Sequence, residues 1–191
     1  MKTLIKLFLA AILFSLVSCK PSPQKAREYY FDISKPIESV LTKEDELIKV
    51  INSNMKKDSA RSVLDKKEID KTEVSVSNKA LDMAFNNFQL QIATSLNQMR
   101  AIGMFDDKSS LHDAASEMLN EYKAVSEKEY PALINILKIP NINYSNEDDT
   151  RLLDLTDSID SKLQRKISNY IQQVKLFSQE YNFKMEKDSL K

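Results

Sequence analysis

Glycine is nearly missing from this chain: Gly103 is the single one in 191 residues, where an average share is about 7%. Tight hairpins draw on glycine for positive φ, so the scarcity excludes a fold built from many short strands. Long helices need almost none. Cysteine is as sparse, with Cys19 alone, which excludes an intramolecular disulfide and any paired-thiol redox or zinc motif. Tryptophan is absent and His112 is the one histidine. Di-metal helical bundles take Glu-x-x-His from two helices, but the residue three before His112 is Ser109. Haem attachment through Cys-x-x-Cys-His has no counterpart. One glycine cannot build a phosphate loop, and nothing marks a positioned serine with an oxyanion hole. His112, between Leu111 and Asp113, reads as an exposed or capping side chain in a first helical turn.

An excess of one charge is also lacking, with 28 basic and 28 acidic side chains. Nucleic-acid binding wants a clear basic surplus, so no nucleic-acid partner is expected. An apolar share of 42% with 29% charged residues fits a globular chain rather than a disordered one.

Long apolar runs are missing too, except at the start. "LFLAAILFSLVSCKPSPQ" (Leu7 to Gln24) follows Lys2 and Lys6 and carries no charge before the cysteine. A short positive region, an apolar stretch and small residues form the layout of a secretory signal, too short for a spanning helix of about 20 residues. Leu16-Val17-Ser18-Cys19 resembles the lipobox of bacterial lipoprotein precursors, with an aliphatic lead, a small residue at the cut and the cysteine of that family. The resemblance implies cleavage between Ser18 and Cys19, a diacylglyceryl group on the Cys19 sulfur and a fatty acid on the new amino terminus. It covers the leader and Cys19 and carries no function across. Two or three acyl chains hold a protein to a bilayer stably, where one does so marginally. Lys20 stands where Asp is the usual inner-membrane retention signal, which implies outer-membrane sorting. Removal of residues 1–18 takes away two lysines and no acid, leaving a balance of about minus two over about 170 residues.

"KPSPQ" (Lys20 to Gln24) holds Pro21 and Pro23 and predicts an extended tether. Apolar residues then recur at three- and four-residue steps. A first stripe runs Tyr30, Ile33, Ile37, Val40, Leu41, Leu47, Ile48, Ile51 and Met55, with Pro36 inside it to kink or restart the helix. A second runs Leu81, Phe85, Phe88, Ile92, Leu96, Met99 and Ile102, with Gly103 as its stop. Lys56 to Asn78 is charged and polar; its second half reads as helix. Ser109 and Ser110 cap a third helix carrying Leu111, Ala115, Met118, Tyr122, Val125, Tyr130, Leu133 and Leu137, bent at Pro131 and ended by Pro140. Asn141 to Asp149 is a loop whose acidic end suits a helix start. The fourth helix shows Leu152, Thr156, Ile159, Leu163, Ile167, Tyr170, Val174, Phe177 and Tyr181 at near-heptad spacing. Leu153, Leu155, Ile171 and Leu176 widen that stripe beyond a two-stranded coiled-coil seam.

Four amphipathic stretches bury their stripes most simply against one another. The expected fold is all-α, an antiparallel four-helix bundle. The expected layout is a leader over 1–18, a lipidated tether over 19–28, the bundle over 29–183 and a polar tail over 184–191. "REYYFDISKP" sets Tyr29, Tyr30 and Phe31 side by side, and three adjacent rings cannot share one face, so at least one is exposed. This opening is similar to that of small helical surface lipoproteins of Gram-negative bacteria. "EDD" (Glu147 to Asp149) lacks the alternating ligands of a calcium loop and reads as a helix start. Asp58-Ser59-Ala60, Asp157-Ser158-Ile159 and Asp188-Ser189-Leu190 resemble a bacterial O-glycosylation acceptor but read better as ordinary cap residues.

No catalytic, cofactor or metal residue is named by these patterns. The expectation is a lipid-anchored envelope protein that is not an enzyme, held to the membrane through Cys19 and engaging a protein or envelope polymer. The alternative is a ligand- or metal-carrying bundle, or an enzyme, with a site that no motif betrays.

Overall fold

The computed structural model describes residues 21–61, 71–107, 110–140 and 143–185, with side chains left aside over 54–77. Among them every regular element is a helix: α1 (Pro23–Arg61), α2 (Lys71–Ala101), α3 (Leu111–Glu127), α4 (Glu129–Leu137) and α5 (Asn146–Glu180). The all-α expectation holds. α1 packs chiefly on α2 and α3 chiefly on α5, while α2 also meets α3 and α4 meets α5.

α1 begins earlier than expected, so Pro23 and Gln24 are helical rather than part of an extended tether. Proline at the first helical position loses no hydrogen bond, because that N–H has no partner in any helix. Ser22 caps the turn: its hydroxyl accepts from the Lys25 N–H at 3.3 Å and its carbonyl from the Ala26 N–H at 3.0 Å. Ala26 is fully buried, which ties this first turn to the core. The helix also continues through Pro36 without a restart. The missing N–H falls opposite the carbonyl of exposed Asp32, where water can replace the bond. The buried carbonyl of Pro36 accepts from the Ser95 hydroxyl at 2.8 Å, a tie from α2.

The break between α3 and α4 lies at Lys128, upstream of the bend expected at Pro131. Pro131 has no N–H for the carbonyl four residues back, and its ring crowds that same carbonyl. That residue is Glu127, the last of α3, so the helix ends where the proline's effect lands. Ser110 sits at the start of α3 without a side-chain cap bond; its hydroxyl goes to Gln173 of α5 instead. Ser109 lies outside the described residues. α2 runs from Lys71, so the second half of the polar connection is helical, and the Asp58-Ser59 pair falls within α1. Gly103 stands just past the end of α2, where the stop is expected, and does so without positive φ.

α5 opens with a capping box. The Ser145 hydroxyl accepts from the Asp148 N–H, and the Asp148 carboxylate accepts from the Ser145 N–H at 3.0 Å. Its acidic first turn, Glu147 to Asp149, suits the positive end of the helix dipole. The core gathers Tyr30, Ile33, Val40, Leu47, Phe88, Met118, Leu163 and Val174 among others. The buried stripes are narrower than the apolar spacing predicts. Leu41, Ile48, Leu153, Ile171 and Leu176 are exposed, as is Thr156; of the four residues expected to widen the α5 stripe, Leu155 packs against the core and the other three do not. Phe183 and Met185 pack against the core, which carries the ordered chain into the start of the expected polar tail; residues 186–191 lie outside the described ones.

Candidate functional site

Two places depart from a uniform apolar core. The first gathers aromatic rings where α1 begins, α2 gives way to α3 and α5 ends. Tyr29 stands 4.9 Å from Phe105 and 5.8 Å from Phe177. Phe105 meets Phe177 and Tyr181 edge to face, and Phe183 meets both Phe177 and Tyr30. Such pairs add about 0.5–1.5 kcal/mol each beyond area burial. Burial pushes the Tyr29 phenol up to about 12. The Tyr181 hydroxyl donates to Asp106, which fixes the α2–α3 connection onto the end of α5. Tyr30 is buried and Phe31 is 41% exposed, so the three adjacent aromatics divide between core and surface as their angular spacing requires. An open groove of about 590 Å³ adjoins this end, lined by Pro23, Arg27, Glu28, Phe31, Phe183 and Lys184 among others.

The second place is a half-buried carboxylate set between the helices. Glu44 of α1 accepts from the Tyr122 hydroxyl of α3 at 2.7 Å and from the Tyr130 hydroxyl of α4 at 2.8 Å. Burial raises the Glu44 pKa, and the two phenol bonds oppose that rise. Both phenols are held far above their ordinary values by burial and by the Glu44 charge. They therefore stay protonated donors and supply no phenolate nucleophile. Nearby, buried Glu129 accepts from the Lys162 ammonium of α5 at 2.7 Å, while its other oxygen has no hydrogen-bond partner. Glu44 bonds to a residue on each side of the break at Lys128, and Glu129 ties α4 to α5. As built, the group is a polar tie among α1, α3, α4 and α5.

Neither carboxylate was singled out in the sequence, yet a signal was there. Glu44 lies four residues after Val40 and three before Leu47; Glu129 lies four after Val125 and four before Leu133. A charge in the apolar register is the mark of a partnered buried group. His112 sits at the start of α3 with its Nε2 3.1 Å from the Met99 carbonyl. That carbonyl belongs to the last turn of α2 and also accepts from the Ile102 N–H at 3.1 Å, so the imidazole adds a second contact to the end of α2 from its neighbour. Asp113 is 3.9 Å from the other ring nitrogen. Ser158 is half-buried within α5. Ser18 and Cys19 lie outside the described residues. Among the described residues no cluster of three or more His, Cys, Asp or Glu is placed to hold a metal ion, and no helix is long and apolar enough to cross a membrane.

Compared with protein-family models, curated proteins and solved structures, the chain matches none.

Proposed function

We propose that this chain is the precursor of a bacterial lipoprotein whose mature part is a helical module of the cell envelope. Signal peptidase cleaves the peptide bond between Ser18 and Cys19, after the Cys19 sulfur has been joined to a diacylglyceryl group through a thioether. The freed amine of Cys19 then takes a fatty acid. The observation that carries this reading is the register Leu16-Val17-Ser18-Cys19 behind an uncharged apolar run. The start of α1 at Pro23 supports it, since a short spacer separates the anchor from the fold. Lys20 stands where Asp would retain the protein at the inner membrane, and the absence of that Asp supports sorting to the outer membrane. Mass spectrometry of the intact membrane-extracted protein tests the reading: loss of residues 1–18 and a mass added at Cys19 are expected. Cys19→Ala should retain the leader and gain no lipid. An unmodified cysteine with its leader still attached would refute the proposal.

The mature domain in this reading is an antiparallel four-helix bundle in which α3 and α4 share one leg. Support comes from contacts at matching heights: Ser95 on Pro36, Tyr122 on Glu44, Ser34 on Tyr170 and Lys166 on Glu117. Its role is non-enzymatic, to bind or brace a protein or envelope polymer while held at the membrane.

A further inference from the structure

We infer that the open face at the start of α1 docks on the surface of the bilayer that holds Cys19, with the Phe31 ring entering the interface. This rests on the lipid anchor and adds to it a second, non-covalent contact. The chain itself limits where this face can be. From Cys19 to Pro23 a fully extended backbone spans at most about 14 Å, and the rise from Pro23 to Phe31 along α1 is about 12 Å. A bilayer that receives the Cys19 lipid is therefore within reach of Phe31 when α1 leans on it.

The chemistry of the face suits an interface rather than water. Phe31 keeps 41% of its surface exposed, and the Arg27 guanidinium lies 5.4 Å from its ring centre. Across the groove stand Phe183 and Lys184. Aromatic rings with flanking cations on long stems are what interfacial segments present, the rings to the acyl boundary and the charges to the headgroups. Glu28 also lines the groove, and it accepts from the Gln24 amide at 3.1 Å; Asp32 adjoins Phe31 in sequence. With acids among the cations, the contact is driven by the ring and not by net charge, so zwitterionic lipid suffices.

The chain has no tryptophan, so Phe31→Trp and Leu153→Trp each carry one indole. Leu153 is 66% exposed and lies about 36 Å along α5 from Phe177. The lipidated protein is reconstituted into phosphatidylcholine vesicles, and its fluorescence is read with lipids brominated near the headgroup end of the chain. The Phe31→Trp emission should shift to the blue and lose most of its intensity, while Leu153→Trp should keep its own. Protein that floats with vesicles but shows no such quenching at position 31 would overturn the docking and leave the anchor standing. Shielding from an aqueous quencher without quenching by lipid would point to a protein partner and equally overturn it. Protein that fails to float at all would remove the anchor and this contact together.

Discussion

Glu44 has a pKa above the ordinary glutamate value of 4.5, because burial disfavours its charge more than the Tyr122 and Tyr130 hydroxyls favour it. The folded state therefore holds a proton in a pH range where the unfolded chain has released it. The stability this group contributes is present below the unfolded value and is lost as pH rises through the raised folded value. Chemical denaturation of wild type and Glu44→Gln across that range should show the wild-type advantage shrinking with increasing pH above 4.5. A difference that grows with pH would mean that the carboxylate is stabilised as an anion. Tyr130→Phe, which removes one bond to the carboxylate, should cost about 2 kcal/mol in the same assay. Phe88 is fully buried and sits edge to face on both Tyr122 and Tyr130. Phe88→Ala should cost about 3–5 kcal/mol, with the folded helix content kept. Apolar positions such as Phe88 and Leu163 were legible from spacing alone. Glu44 and Glu129 fall in the same apolar register, but spacing does not name their partners, because those come from other helices.

Helix boundaries follow from groups that the backbone cannot satisfy by itself. The start of α5 is set by the reciprocal bonds of Ser145 and Asp148, and bonding from Ser145 draws the Asp148 carboxyl below its ordinary value. Ser145→Ala should cost about 1 kcal/mol in thermal or denaturant unfolding and should fray the first turn in amide exchange. Unchanged protection over Asn146 to Thr150 would show that the cap does not set this end. The sequence already placed acids at a helix start there. It did not place the α3–α4 break, because a proline disturbs the carbonyl four residues upstream and not its own position. The edges of the buried stripes were legible only coarsely, too. Leu41, Ile48 and Ile171 lie near the flanks of their stripes, where burial depends on how closely neighbouring helices approach. Periodicity gives the direction of a face and leaves its width to packing.

At the scale of the whole molecule, the two ends differ in what closes them. Rings from α1, the α2–α3 connection and α5 close one end, and the chain towards Cys19 leaves from there. Towards the other, Lys138 just past α4 pairs with Asp82 in α2, and exposed Asn143, Ser145 and Asn146 lead into α5. With Cys19 in the membrane, the ring-closed end is crowded by lipid and the α4–α5 connection is free. Loops set on a rigid scaffold commonly carry recognition, so the partner of the proposed module should meet that free end. Acylation of Cys19 would leave a newly introduced cysteine as the one free thiol, which makes the test direct. A photo-crosslinker attached through Asn146→Cys in intact cells should yield protein or envelope-polymer adducts. The same reagent on Asp107→Cys, at the exposed α2–α3 connection, should yield lipid adducts or none. Adducts to protein or envelope polymer from position 107 alone would place the working surface beside the membrane and refute the free-end assignment.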